Sequence, residues 1–122
     1  MKKKVLIVED VADVRAMMKI LVECYGYQAI TADDGYEAIE KVKAHQPDLV
    51  LMDLMMPVLD GVIATRIIRN LEQINEIPII ALTAYNDLYQ KKAIEAGCNE
   101  VIEKPLDLEK LKPLLNQYLY QS

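Results

Sequence analysis

The chain has 122 residues, a formal net charge of −5 and a hydrophobic share of 52%, a size that accommodates one domain (residues 1–122) around one core. The acidic balance argues against a nucleic-acid surface, which needs basic side chains to neutralise phosphates, and no apolar run approaches the ~20 residues of a membrane span. Cys24 and Cys98 stand far apart with no CxxC or His–Cys spacing, so both read as small buried thiols.

Lys2, Lys3 and Lys4 lead into Val5-Leu6-Ile7-Val8, and the apolar part stops at Glu9. Four residues are too few for a signal-peptide core, which points to a cytoplasmic protein. Residues 4–9 instead predict a first strand covered on both faces, followed at once by the acids Glu9 and Asp10. Val14, Met17, Met18, Leu21, Val22 and Tyr25 then recur at i, i+3, i+4, i+7, i+8 and i+11, one face of an amphipathic helix that Gly26 closes.

Residues 27–32 predict a second strand. Asp33-Asp34-Gly35 makes the turn, with one aspartate capping a helix that carries Ala38, Ile39 and Val42. His45 reads as a polar helix-end residue. Between Pro47 and Pro57, the run Leu49-Val50-Leu51-Met52-Asp53 predicts a central strand buried on both faces. Asp53 falls at its carboxyl end, where an open α/β sheet has its binding crevice. Asp60 is placed to cap a third helix with Ala64, Ile67, Ile68 and Leu71 inward.

Residues 77–83 predict a fourth strand ending in Thr83, with Pro78 at its entry where a missing donor is tolerated. The fourth helix, residues 86–96, is weakly patterned: Ala93 and Ala96 can face the sheet, whereas Leu88, Tyr89 and Ile94 do not share one side. Gly97 stops it. Residues 99–103 form a fifth strand before Lys104-Pro105. Asp107 caps a last helix with Leu108, Leu111, Leu115, Tyr118 and Leu119 inward. Pro113 lies inside that helix, where it costs roughly 3 kcal/mol and predicts a kink or a tightened first turn.

Five strands alternating with five helices predict a parallel sheet with helices on both faces. Right-handed crossovers leave few layouts; the order 2-1-3-4-5 is taken over from known flavodoxin-like sheets and places a switch point between strands one and three. Glu9, Asp10 and Asp53 then share one crevice, with Thr83 and Lys104 at the ends of the next strands. Three like charges repel unless a cation joins them. An all-oxygen donor set suits Mg²⁺, which keeps coordination positions open for waters and a phosphoryl group. A carboxylate beside a metal, a lysine and a hydroxyl can act as a nucleophile on phosphorus.

Glu9-Asp10, Met52-Asp53, Met56-Pro57, Asp60-Gly61, Thr83-Ala84 and Lys104-Pro105, in this order along nearly the whole chain, resemble the receiver domain of two-component response regulators, of the single-domain chemotaxis or sporulation-relay kind. The resemblance implies that Asp53 accepts a phosphoryl group from a histidine kinase or histidine phosphotransfer protein. It implies Mg²⁺ on Asp10, Asp53 and the backbone carbonyl of Met55, with Glu9 acting mainly through water. Thr83 would bond the phosphoryl oxygen, Lys104 would pair with it, and the peptide before Pro105 would be cis.

The chain departs from the family at two places. Val101 stands where the family carries Tyr or Phe, and valine is short and stiff at χ1, so the readout is expected to pass to Tyr85 or Tyr89. Met55 and Tyr85 flank the acceptor and offer no group to orient water, which predicts slow self-dephosphorylation. The expected output is a protein partner or output domain bound through the fourth helix, fifth strand and fifth helix, from a stand-alone receiver whose chain ends soon after its last helix. A Mg²⁺-dependent phosphohydrolase using Asp53 is the enzymatic alternative, but no second acid for general acid–base work and no substrate cap are evident. A flavodoxin-like nucleotide binder is disfavoured because residues 9–13 are acidic where a phosphate cradle is rich in glycine and hydroxyls.

Overall fold

The computed structural model describes residues 2–56, 58–71, 76–84, 87–105 and 107–120. The expectations placed on Pro57, Tyr85, Asn86 and the side chains of Leu88 and Leu108 fall outside the described residues. The strands are β1 Lys4–Val8, β2 Gln28–Ala32, β3 Leu49–Asp53, β4 Ile79–Thr83 and β5 Glu100–Glu103, the apolar runs forming β1, β3 and β4. The helices are α1 Ala12–Cys24, α2 Gly35–His45, α3 Gly61–Arg69, α4 Asp87–Ala96 and α5 Leu108–Leu119. The strands pair in parallel in the order β2-β1-β3-β4-β5.

Alternation along the strands sends side chains to two cores. Leu6, Val8, Val50, Met52, Ile79 and Ala81 face α2, α3 and α4. Val5, Ile7, Leu49, Leu51, Ile80 and Leu82 face α1 and α5. All residues of β3 and β4 are buried, which is why neither strand shows the polar alternation of a half-exposed sheet. Removing a side chain of this size from water contributes about 1.5–3 kcal/mol.

Side-chain caps set three of the helix starts. Asp34 accepts from the Glu37 N–H at 2.8 Å, Asp60 from that of Ile63 at 3.0 Å, and Asp107 from that of Glu109 at 2.9 Å; each cap is worth about 1 kcal/mol. Pro113 sits within a continuous α5, and the first turn is tightened as expected. Both Lys110 and Leu111 donate to the Asp107 carbonyl, each at 3.0 Å.

Three sequence expectations need correction. Met17 is 49% exposed and Ile67 38% exposed. On α1, Met18 and Val22 occupy the centre of the buried arc, and Met17 falls to its flank, where it lines a groove with Val14, Leu21, Ala84 and Pro105. On α3, Ala64 and Ile68 take the inner positions. Cys98 is buried, but Cys24 is exposed, because it follows Val22 by two positions, about 200° around the helix.

At the end of the sheet where the strands begin, Arg69 gathers three acceptors among the described residues. Its Nε donates to the Gly97 carbonyl at 2.9 Å, Nη1 to the Ile77 carbonyl at 2.6 Å and Nη2 to Asn99 Oδ1 at 2.9 Å. Asn99 Oδ1 also accepts from the Ile79 N–H at 2.9 Å. Gly97 has φ +117°, and a Cβ there would lie 2.7 Å from Arg69 Cγ, so conformation and space both require glycine.

Candidate functional site

The parallel register brings the strand ends level. Val8 pairs with Met52, Asp53 with Leu82, and Thr83 with Glu103. The chain therefore delivers Glu9, Asp53, Thr83 and Lys104 to one rim at or just beyond the strand termini. Ladder bonds continue past the strands and fix that rim: Glu9 N–H donates to the Ala32 carbonyl at 3.1 Å, Leu54 N–H to Leu82 at 3.0 Å, and Lys104 N–H to Thr83 at 2.7 Å. The Lys104–Pro105 peptide is cis.

Glu9, Asp53 and Thr83 are buried, at 0%, 2% and 0% exposure. Lys104 Nζ lies 3.1 Å from Glu9 Oε1 and 3.4 Å from Asp53 Oδ2. Glu9 Oε2 accepts from the Val11 N–H at 3.2 Å, and Asp53 Oδ1 accepts from the Met55 N–H at 3.1 Å. Carboxylate oxygens of Glu9, Asp10 and Asp53 lie within 4.8 Å of one another. The side chain of Met55 is 52% exposed.

Burial and the neighbouring Glu9 push the Asp53 carboxyl up to about 7, against the pull of Lys104 and the Met55 N–H. Burial also disfavours charge on Glu9, but its bonds to Lys104, Val11 and Asp53 outweigh that and hold it below the usual range. Burial alone would lower Lys104; hydrogen bonding to Glu9 and the charge of Asp53 raise it instead. One lysine thus faces two buried carboxylates, and burial together with Glu9 raises the Asp53 carboxyl despite it. The donor set is all oxygen, compact and under-neutralised, and it fits a hard divalent cation such as Mg²⁺.

The structure brings together Glu9, Asp10, Asp53, Thr83 and Lys104, with the Met55 backbone against the acceptor. Sequence reasoning missed Arg15, whose Nη1 donates to the Glu9 carbonyl at 2.8 Å and the Asp10 carbonyl at 3.5 Å, holding the acidic turn from α1. No signal in residue identity marked it, because its acceptors are main-chain carbonyls. It also understated Glu9, which meets Lys104 directly. Gly61 was noted for its place after Asp60, and its packing role emerges only here. A Cβ at Gly61 would fall on the Asp53 carbonyl oxygen and come 2.9 Å from Leu54 Cα.

A doubly wound sheet that gathers acids and a lysine at its switch point defines a class: a flavodoxin-like domain whose site fits a divalent cation and a phosphoryl-accepting aspartate. Residues 5–116 match the response regulator receiver domain. The polar-differentiation response regulator DivK of Brucella ovis is 33% identical over 120 residues, covering 98% of this chain and 98% of its own. The structure of the chemotaxis protein CheY4 of Vibrio cholerae aligns with TM-score 0.91 at 29% identity, over 98% of this chain and 100% of that one. The receiver domain of a sensor histidine kinase from Pseudomonas aeruginosa, with magnesium coordinated in its active-site cleft, aligns with TM-score 0.91 at 31% identity, over 99% of this chain and 100% of that one.

The chain belongs to the response regulator receiver domains of two-component signalling. Among the described residues, no helix is long and apolar enough to cross a membrane.

Proposed function

We propose that Asp53 accepts a phosphoryl group from the phosphohistidine of a histidine kinase or histidine phosphotransfer protein, and that the change alters a protein-binding surface. The observation that carries this reading is the position of Lys104 Nζ between Glu9 and Asp53, 3.1 and 3.4 Å away, at the rim where the strands end. It is the charge arrangement of a site built to receive further negative charge beside a second cation.

A carboxylate oxygen of Asp53 attacks phosphorus, and the bond from phosphorus to the donor imidazole breaks. The imidazole leaves with its electron pair and is neutral because its other ring nitrogen carries a proton, taken from solvent if not already there. Lys104 pairs with the incoming phosphoryl oxygens, and the Thr83 hydroxyl donates to one of them. Asp10, Asp53 and the backbone carbonyl of Met55 are assigned to Mg²⁺, with Glu9 acting mainly through water. Mg²⁺ bound there supplies the charge neutralisation that the acceptor and the entering group require.

The whole chain acts as one receiver domain. Its own chemistry is one phosphoryl transfer followed by slow self-dephosphorylation, without turnover of a small substrate. The surface of α4, β5 and α5 binds a downstream protein or output domain. We place this activity in the cytoplasm, with no direct role for nucleic acid or membrane.

Incubation with Mg²⁺ and a small-molecule phosphodonor should add one phosphoryl group, stable in acid and labile in base, detected by mass spectrometry. It should disappear in Asp53→Asn and on removal of the metal. Modification at another residue would overturn the assignment.

A further inference from the structure

We propose that Tyr89, on α4, is the aromatic side chain through which this receiver reports the state of Asp53 at its surface; the inference rests on the phosphorylation reading above. Val101 cannot serve. It is half-buried against the α2–α4 core, and a β-branched side chain there has one strongly preferred rotamer and no reach. Tyr89 packs against the same core from α4 and is also only half-buried. Its ring lines an open cavity of about 340 Å³ with Leu54, Met55, Met56 and Asp60. The ring therefore shares a wall with the loop that follows Asp53, and has space to turn into without displacing close-packed atoms.

Two independent routes join the acceptor to this position. Through the first, Asp53 Oδ1 accepts from the Met55 N–H at 3.1 Å, and Met55 borders the cavity. Converting the carboxylate to an acyl phosphate removes charge from that oxygen and adds bulk beside the loop, so the Met55 contact changes first. Through the second, Asp53 Oδ2 lies 3.4 Å from Lys104 Nζ, and Lys104 follows Glu103, whose Oε1 accepts from Gln90 Nε2 at 3.2 Å. Gln90 adjoins Tyr89 in α4. A change at Asp53 thus reaches Tyr89 from both of its flanks.

The consequence at the surface is local. Lys92 Nζ sits 5.9 Å from the centre of the Tyr89 ring, within the range of a weak cation–π contact. Turning the ring into the cavity releases the exposed Lys92 from this contact. Phosphorylation therefore changes both the charge and the apolar character of one helix face.

The chain contains no tryptophan, so Tyr89→Trp supplies a single tryptophan, excited selectively over the remaining tyrosines, and Tyr36→Trp, on the exposed face of α2, supplies the control. Beryllium fluoride, a tetrahedral phosphoryl mimic, is added with Mg²⁺. The emission maximum and intensity should shift at position 89 and stay constant at 36. The shift should vanish when Asp53→Asn is added. As a second readout, Tyr89→Ala should change the apparent affinity for beryllium fluoride by about fivefold or more, because coupling between two sites is reciprocal.

An unmoved emission at 89, an equal response at 36, or an unchanged affinity in Tyr89→Ala would each overturn the proposal. Mass spectrometry of the same samples after treatment with a phosphodonor separates the two readings. A phosphoryl group on Asp53 with a silent Tyr89 removes this inference alone, whereas no phosphoryl group on Asp53 removes both.

Discussion

Lys104 and Glu9 meet at 3.1 Å although they lie 95 positions apart in the chain. The contact reaches from the residue after β5 to the residue after β1, across the ends of β4 and β3, and includes Asp53 at 3.4 Å on the way. The site is held together by this reach before any phosphoryl group arrives, and several measurable consequences follow from its charge balance.

Lys104→Met removes the only side-chain cation within ion-pairing distance of Glu9 and Asp53 among the described residues. Because Lys104 itself is 30% exposed, the loss is smaller than for a fully buried pair, about 1–2 kcal/mol in chemical denaturation at pH 8. Phosphoryl uptake from a small donor should slow on the order of 100-fold.

The raised Asp53 carboxyl fixes the sign of a pH effect in metal-free protein. A carboxyl that ionises near 7 when folded and near 3.8 when unfolded favours the folded state below pH 3.8, and this contribution is lost as pH rises through 7. Glu9, held below its usual range, acts in the opposite sense, losing stability on acidification. Asp53→Asn should therefore match the parent near pH 4 and become the more stable protein above pH 7. Denaturation curves across this range check the crossover.

Mg²⁺ should reverse that penalty. Folded-state binding at a concentration tenfold above Kd adds about 1.4 kcal/mol, read as a rise in Tm that EDTA cancels. Asp10→Asn and Asp53→Asn should each abolish most of the rise. An equal response in all three proteins would exclude the acidic cluster as the metal site.

Met55 is half exposed and carries no group that can orient an attacking water. Met55→Asn should shorten the lifetime of the acyl phosphate several-fold, followed by loss of radiolabel after the donor is removed. A lifetime that is already short and unaffected by the substitution would show that the flanking side chain does not limit hydrolysis.

Gly61→Ala tests the packing of α3 against the acceptor strand. The added Cβ meets main chain at Asp53 and Leu54, which cannot swing aside. Overpacking of this kind costs about 1–3 kcal/mol, and the displaced Asp53 backbone should also lower the yield of phosphorylation.

The residues of the candidate site were legible because a parallel sheet converts sequence position into spatial position. Once Val5–Val8, Leu49–Met52 and Ile79–Leu82 read as buried strands, Glu9, Asp53 and Thr83 had to lie along one rim. Strand order was legible only by analogy with known sheets, since the composition of a strand does not declare its neighbours. Capping by Asp34, Asp60 and Asp107 followed from local chemistry. Met17, Ile67 and Cys24 depended on where each buried arc ends, and periodicity alone blurs that edge by one residue. Arg15 and Arg69 were not legible, because both donate mainly to main-chain carbonyls, which leave no trace in residue identity.

Arg69 has a mechanical consequence. Its guanidinium fastens the end of α3 to Ile77 ahead of β4 and to Gly97 and Asn99 ahead of β5, at the sheet edge opposite the acidic rim. The helix that carries Tyr89 is therefore clamped at its far end and loaded near its tip, in the manner of a cantilever. A small push at the tip then tilts the helix, with displacement growing along its length away from the clamp.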